Sequence, residues 1–214
     1  MTPAELLAEG RRLERPCVLL RAQGPGTAAG FWYSPDEDGI SATGSRCWLS
    51  VDATFIPGLD PGISGYVTVY TNETSYRGGR IEITGEYPSR PGIPLHAQPA
   101  SILPPIDAVL AKGSARVDEW LHANRWSRRT RYNDNFKDRA IVQEYERIYF
   151  EEYPLYRGDG VYAALGGWHW PGPDDDWHDL IDDHLMILTV HSSEPWVEAW
   201  RFRNGQFGVI QRIT

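Results

Sequence analysis

Trp196-Val197-Glu198-Ala199-Trp200-Arg201-Phe202-Arg203-Asn204-Gly205-Gln206-Phe207-Gly208-Val209-Ile210-Gln211-Arg212-Ile213 reads as two strands around one turn. Asn-Gly supplies the two positive-φ residues that a two-residue type I′ turn requires, and both flanks are aromatic and β-branched. An antiparallel hairpin is therefore expected. Just upstream, Leu185-Met186-Ile187-Leu188-Thr189-Val190 is apolar at nearly every position, the pattern of a central strand covered on both faces. With a further strand at 161–165, residues 161–214 form a β-rich portion.

The first half also reads as strands, at 17–22, 31–34, 46–51, 65–71 and 79–87. In the last of these Ile81 and Ile83 alternate with Arg80, Glu82 and Thr84, a period of two that buries one face and wets the other. Thr2-Pro3-Ala4-Glu5 is a capping box with proline at the first helical position, so a short helix opens the chain, with Leu6 and Leu7 inward and Gly10 as its stop. A folded amphipathic helix there is no signal peptide, and no run of about 18 apolar residues exists to span a membrane, so a cytoplasmic protein is expected.

Between the β-rich portions, residues 88–105 carry six prolines and are expected to be irregular, as a linker or a surface wrap. Helices are expected at 106–112, from Ser114 with Val117, Trp120 and Leu121 on one stripe, and at 136–153 with Ile141, Tyr145, Ile148, Tyr149 and Glu152 in register. The expected class is α+β: mainly antiparallel twisted sheets with a helical insert at about 104–153. One compact domain over 1–214 is expected, its sub-units being 1–87, 104–153 and 161–214.

At 214 residues the chain can bury a sizeable core without disulfide or metal. Cys17 and Cys47 lie in apolar strand-like surroundings and read as reduced, buried thiols, a bridge between adjacent strands being the other reading. Twenty-one basic against 29 acidic residues give a net charge of −8, which disfavours nucleic acid as a partner of the whole protein. The charge is uneven. Residues 114–139 hold seven basic and four acidic groups, whereas 173–184 hold six aspartates and no Lys or Arg. Those regions suit each other or separate partners.

The pattern Trp48-Leu49-Ser50-Val51-Asp52, Phe55-Ile56-Pro57, then Gly65-Tyr66-Val67-Thr68-Val69-Tyr70 resembles the YwqG-like family of uncharacterised bacterial proteins, as do Leu165-Gly166-Gly167-Trp168 and the closing hairpin. The match covers about half the chain as spaced patterns. It implies large twisted sheets in a bacterial cytoplasm and, because some relatives occur near secreted-toxin loci, a toxin-neutralising (immunity) role. The insert and the Asp/His segment depart from that pattern.

The chemistry-bearing stretch is Gly166-Gly167-Trp168-His169-Trp170-Pro171-Gly172-Pro173-Asp174-Asp175-Asp176-Trp177-His178-Asp179-Leu180-Ile181-Asp182-Asp183-His184. As a recognition surface, Trp168, His169, Trp170, Asp174, Asp175, Asp176, Trp177 and His178 would contact a protein partner, aromatic anchors and charge complementarity giving the specificity. Arg128, Arg129 and Arg131, set among aromatics, form a second patch. No cofactor is needed for that reading. As a metal-dependent hydrolase, Asp175, His178, Asp179 and Asp182 would hold a divalent metal and His169 would act as acid or base, although the spacing matches no EF-hand and no HExxH motif. A third reading is a carbohydrate-binding module using surface Trp and Tyr among nine tryptophans and eleven tyrosines. Phosphate-cradling loops and a Gly-x-Ser-x-Gly elbow are absent from the sequence.

Overall fold

The computed structural model describes residues 1–33, 45–72, 78–89, 91–124, 138–153, 160–168, 184–190, 196–202 and 205–212, with backbone alone at 184–190, 196, 202 and 210–212. Helix α1 (Pro3–Arg12) opens the chain, followed by strands β1 (Arg15–Arg21), β2 (Thr27–Trp32) and β3 (Ser45–Asp52). After a 3-10 turn (Ala53–Phe55) come β4 (Tyr66–Asn72), β5 (Gly79–Thr84) and β6 (Ile93–Ile102). Helices α2 (Ile106–Lys112), α3 (Ala115–Ala123) and α4 (Arg139–Glu152) form the insert. Strands β7 (Val161–Gly166), β8 (His184–Val190), β9 (Trp196–Phe202) and β10 (Phe207–Arg212) end the described chain. The protein is α+β, its sheet antiparallel throughout.

All ten strands belong to one sheet, ordered β10-β9-β8-β7-β1-β6-β2-β3-β4-β5. Strand β1 lies between β6 and β7, with Cys17 opposite Ala100 on one side and Gly166 on the other, so it stitches the two β-rich portions together. The sheet curls until β10 comes against β5 and β4. Its concave side is filled by one apolar cluster that includes Leu20, Trp32, Trp48, Val69, Leu165 and Val209, drawn from both ends of the strand order. The connection after β3 closes one end of this barrel, where Ile56 is buried and Phe55, Leu59 and Ile63 pack against the core.

A second cluster lies between the convex side and the helices. Cys17 and Leu19 of β1 meet Leu6, Ile106, Val109, Val117, Val142 and Tyr145 there, while Leu20 of the same strand faces the barrel. Burial on both faces is the mark of a sheet covered by helices on one side. The α1 capping box forms as the sequence predicts: Glu5 N–H donates to Thr2 Oγ1 and Thr2 N–H to Glu5 Oε2. Gly10, however, does not end the helix, which continues to Arg12. Its missing side chain makes room for Tyr145, whose hydroxyl would stand 2.5 Å from a β-carbon at that position.

The proline-rich stretch is not a linker. It carries a ten-residue interior strand, β6, flanked by β1 and β2. Each proline inside it sits where one neighbour is missing. The ladder to β1 ends at His96, short of Pro94, and the ladder to β2 ends at Ala97, short of Pro99. Each thus has a side on which no N–H donor is required. Residues 85–89 and 91–92 lie instead between β5 and β6, and Tyr87 wedges between Phe31 and Tyr66 with ring centroids 4.8 and 3.6 Å away.

Strand β2 starts earlier than expected, at Thr27, because Gly30 approaches the neighbouring backbone too closely for any side chain: a β-carbon there would lie 2.1 Å from the Ser50 carbonyl oxygen. The final hairpin forms with its register shifted by one. Arg201 pairs with Phe207, whereas a two-residue turn at 204–205 would have placed it opposite Gly208. The positive φ of Gly205, 81°, fits the longer turn with a left-handed glycine at its end.

Candidate functional site

The Asp/His/Trp stretch leaves the sheet from the end of β7, and its root is fully described. Gly166 and Gly167 have φ of 72° and 83°, a region that favours glycine, and β-carbons there would lie 3.2 Å from the Pro57 ring and from Cys17 Cβ. The two glycines turn the chain back so that Trp168 enters the layer between sheet and helices. Its indole Nε1 donates to the Leu13 carbonyl oxygen at 2.9 Å. The Arg15 guanidinium stacks over the ring at 3.6 Å, and the Lys112 ammonium lies 5.7 Å from its centroid. Trp168 is only 2% exposed. It was expected as a contact residue for a partner; it is instead the bolt that fixes where the stretch begins.

The remaining expected contacts, His169, Trp170, Asp174, Asp175, Asp176, Trp177 and His178, lie outside the described residues, as do the alternative metal ligands Asp179 and Asp182 and the basic patch Arg128, Arg129 and Arg131. Among the described residues no group of His, Cys, Asp and Glu is arranged to hold a metal ion. The basic run has a defined root as well. Asp138, at the start of α4, caps no helix amide with its side chain but accepts a hydrogen bond from Trp120 Nε1 of α3 at 2.5 Å. The two ends of the 125–137 connection are thereby tied together.

Next to the Trp168 root is a polar junction that charge counting alone could not reveal. Arg11 donates to Glu14 at 2.7 Å and to Glu152 of α4 at 2.6 Å, and Ser101 of β6 donates to Glu14 at 2.7 Å. These groups edge a shallow cleft whose floor is Ile102, Leu103, Tyr149 and Tyr153. The Arg11 contact and the Ser101 hydroxyl hold the Glu14 carboxyl below its usual range against the opposing effect of burial. The signal in the sequence was the cluster Arg11-Arg12-Leu13-Glu14-Arg15, whose partners are distant along the chain.

Neither cysteine is arranged for chemistry. Cys17 and Cys47 are buried and form no disulfide, and burial pushes the Cys17 thiol up to about 12. On the outward side of β3–β5, Arg80 lies 4.2 Å over the Tyr70 ring and donates to Glu82 and Ser45, while burial, with nearby Cys47 and Glu82, pushes Tyr70 up to about 12. These groups satisfy one another, as in a structural cluster. No described helix is long and apolar enough to cross a membrane. Comparison of the chain with protein-family models, with curated proteins and with solved structures finds no match.

Proposed function

We propose that this is a non-enzymatic protein-binding protein whose contact surface is carried by the connection between β7 and β8. The observation that carries the reading is topological. Strands β7 and β8 are paired antiparallel neighbours, with Leu165 opposite Leu188 and Ala163 opposite Val190. Neighbours of that kind need only about two to five residues between them. The chain places residues 167–183 there, with six aspartates and Trp170 and Trp177 among them. A connection so much longer than the sheet requires is a feature of binding segments carried on rigid scaffolds.

The fixed root supports the same reading. With Trp168 bolted to Leu13 and Arg15, the stretch departs from a constant point of a barrel, which limits the ordering cost of binding. The surface would suit a partner with a basic, aromatic-accepting patch, and toxin neutralisation is the form of that activity implied by the family resemblance. Catalysis forms no part of this proposal.

The test replaces residues 170–182 by a short Gly/Ser connection and, separately, makes Trp170→Ala and Trp177→Ala. Capture from extract of the native cells is then compared with that by the unaltered chain. A protein retained by the unaltered chain, lost with the replacement and weakened by over ~1 kcal/mol in the tryptophan variants supports the reading. Equal capture by all four proteins overturns it.

A further inference from the structure

Helix α1 is held to the rest of the molecule by a short apolar contact and by a set of polar side chains that reach other elements. Its buried residues are Leu6 and Gly10 alone, with Leu7 packing partly against the core. By contrast, four of its charged side chains, and Glu14 just beyond it, reach distant partners. Glu5 accepts from Arg116 of α3 at 2.5 Å. Glu9 accepts from both the backbone N–H and the hydroxyl of Ser114, at 3.1 and 2.7 Å, and so binds the start of α3. Arg12 donates to the Lys112 carbonyl oxygen, Arg11 bridges to Glu152, and Glu14 holds Ser101.

We propose that α1 is an acid-released clip: protonation of its carboxylates frees the helix as a unit, uncovering the Tyr145 face of α4, while the barrel stays folded. Two of these ties are ion pairs, Glu5–Arg116 and Arg11–Glu152, and in the other two Glu9 and Glu14 accept from Ser114 and Ser101 in hydrogen bonds that the carboxylate charge strengthens. The groups facing the carboxylates are Arg11 and Arg12 on α1, Arg116 on α3, the Tyr145 phenol on α4 and the chain's amino group at Met1, 3.8 Å from Glu5. Lys112 and Arg15 are turned to Trp168.

The direction of the effect follows from the contacts. The Thr2 backbone holds Glu5 below its ordinary 4.5, the Ser114 hydroxyl does the same for Glu9, and Arg11 and Ser101 for Glu14. A carboxyl depressed in the folded state stabilises docking above 4.5, and that contribution is lost as pH falls through the folded value. Neutral pH keeps the clip shut.

Amide hydrogen exchange resolved by segment tests this, with rates corrected for intrinsic pH dependence. Between neutral pH and about pH 3.5, α1 amides should lose about tenfold or more of their protection while β1 and β6 keep theirs. Glu9→Ala should loosen α1 at neutral pH. Glu9→Gln, which keeps an acceptor oxygen but not the charge, should loosen α1 less than Glu9→Ala at neutral pH and leave a smaller further change on acidification. Simultaneous loss of protection in α1, β1 and β6, or an α1 that stays protected down to about pH 3.5, would overturn the proposal.

Discussion

Gly79 of β5 lies against Val209 of β10, so close that a β-carbon on Gly79 would stand 2.9 Å from Val209 Cβ. This contact joins the two ends of the sheet. Ten antiparallel strands bring their terminal members together antiparallel, and here side-chain packing closes the seam, with no β5–β10 ladder among the described residues. Each edge hides the other, which removes two surfaces that would otherwise invite pairing between molecules.

The seam contact makes Gly79→Val costly. The added side chain meets Val209 on one side and the Tyr70 carbonyl oxygen, 2.1 Å from the β-carbon position, on the other. Overpacking of this kind costs about 1–3 kcal/mol, and a domain of this size loses roughly 2–4 °C of Tm per kcal/mol. A thermal scan should therefore show a drop of several degrees; an unchanged Tm would mean that the seam yields freely.

Gly10→Ala offers a contest between local and tertiary preference. In an exposed helix alanine is favoured over glycine by about 1 kcal/mol. Here the new methyl meets the Tyr145 ring, which is fully buried and donates its hydroxyl to the Pro104 carbonyl oxygen at 2.7 Å. The variant should be less stable than the parent in urea unfolding, and a stabilised variant would show that α1 shifts to admit the methyl.

Trp168 should behave as a structural residue. Trp168→Phe keeps an aromatic ring in the layer but loses the indole N–H and its hydrogen bond to Leu13, the bond alone being worth about 0.5–1.5 kcal/mol. Trp168→Ala opens the layer beneath the helices, costing about 3–5 kcal/mol. Denaturant titration of the pair should reproduce that order, and equal stability of all three proteins would remove the bolt from the description.

Iodoacetamide should leave Cys17 unmodified in the folded protein and label it once denaturant is added. The thiol is 2% exposed, and its raised pKa leaves almost no thiolate at neutral pH. Mass spectrometry of the native reaction decides the matter; rapid native labelling would reveal an opening between β1 and the helices.

The elements most legible in the sequence were those whose signals are local. Thr2 and Glu5 cap α1 through their own side chains, and Ile81 packs against the core as the alternation in β5 predicts, whereas Ile83, expected on the same buried face, is 40% exposed near the end of the strand. Strand β6 was illegible because proline argues against a strand until its neighbours are known; only the staggered ends of the β1 and β2 ladders make Pro94 and Pro99 harmless. Gly10 read as a stop and the second strand was expected to begin only after Gly30, whereas each glycine makes room for a group elsewhere in the chain, Tyr145 and Ser50. The candidate site divides in the same way. The composition of 169–183 was plain from the sequence, but Leu13, Arg15 and Lys112, which hold Trp168, are remote from it and carry no motif.

The place of β1 sets the order in which the molecule can be made. It leaves the ribosome before the other nine strands, yet one of its two partners, β7, begins only at Val161. A nascent chain halted before that point holds β1 with one row of backbone groups unanswered, and the curl cannot finish until Val209 reaches Gly79. Such distant pairing slows folding. The barrel is therefore completed only after β10 has left the ribosome, and until β7 pairs with it the edge of β1 waits exposed.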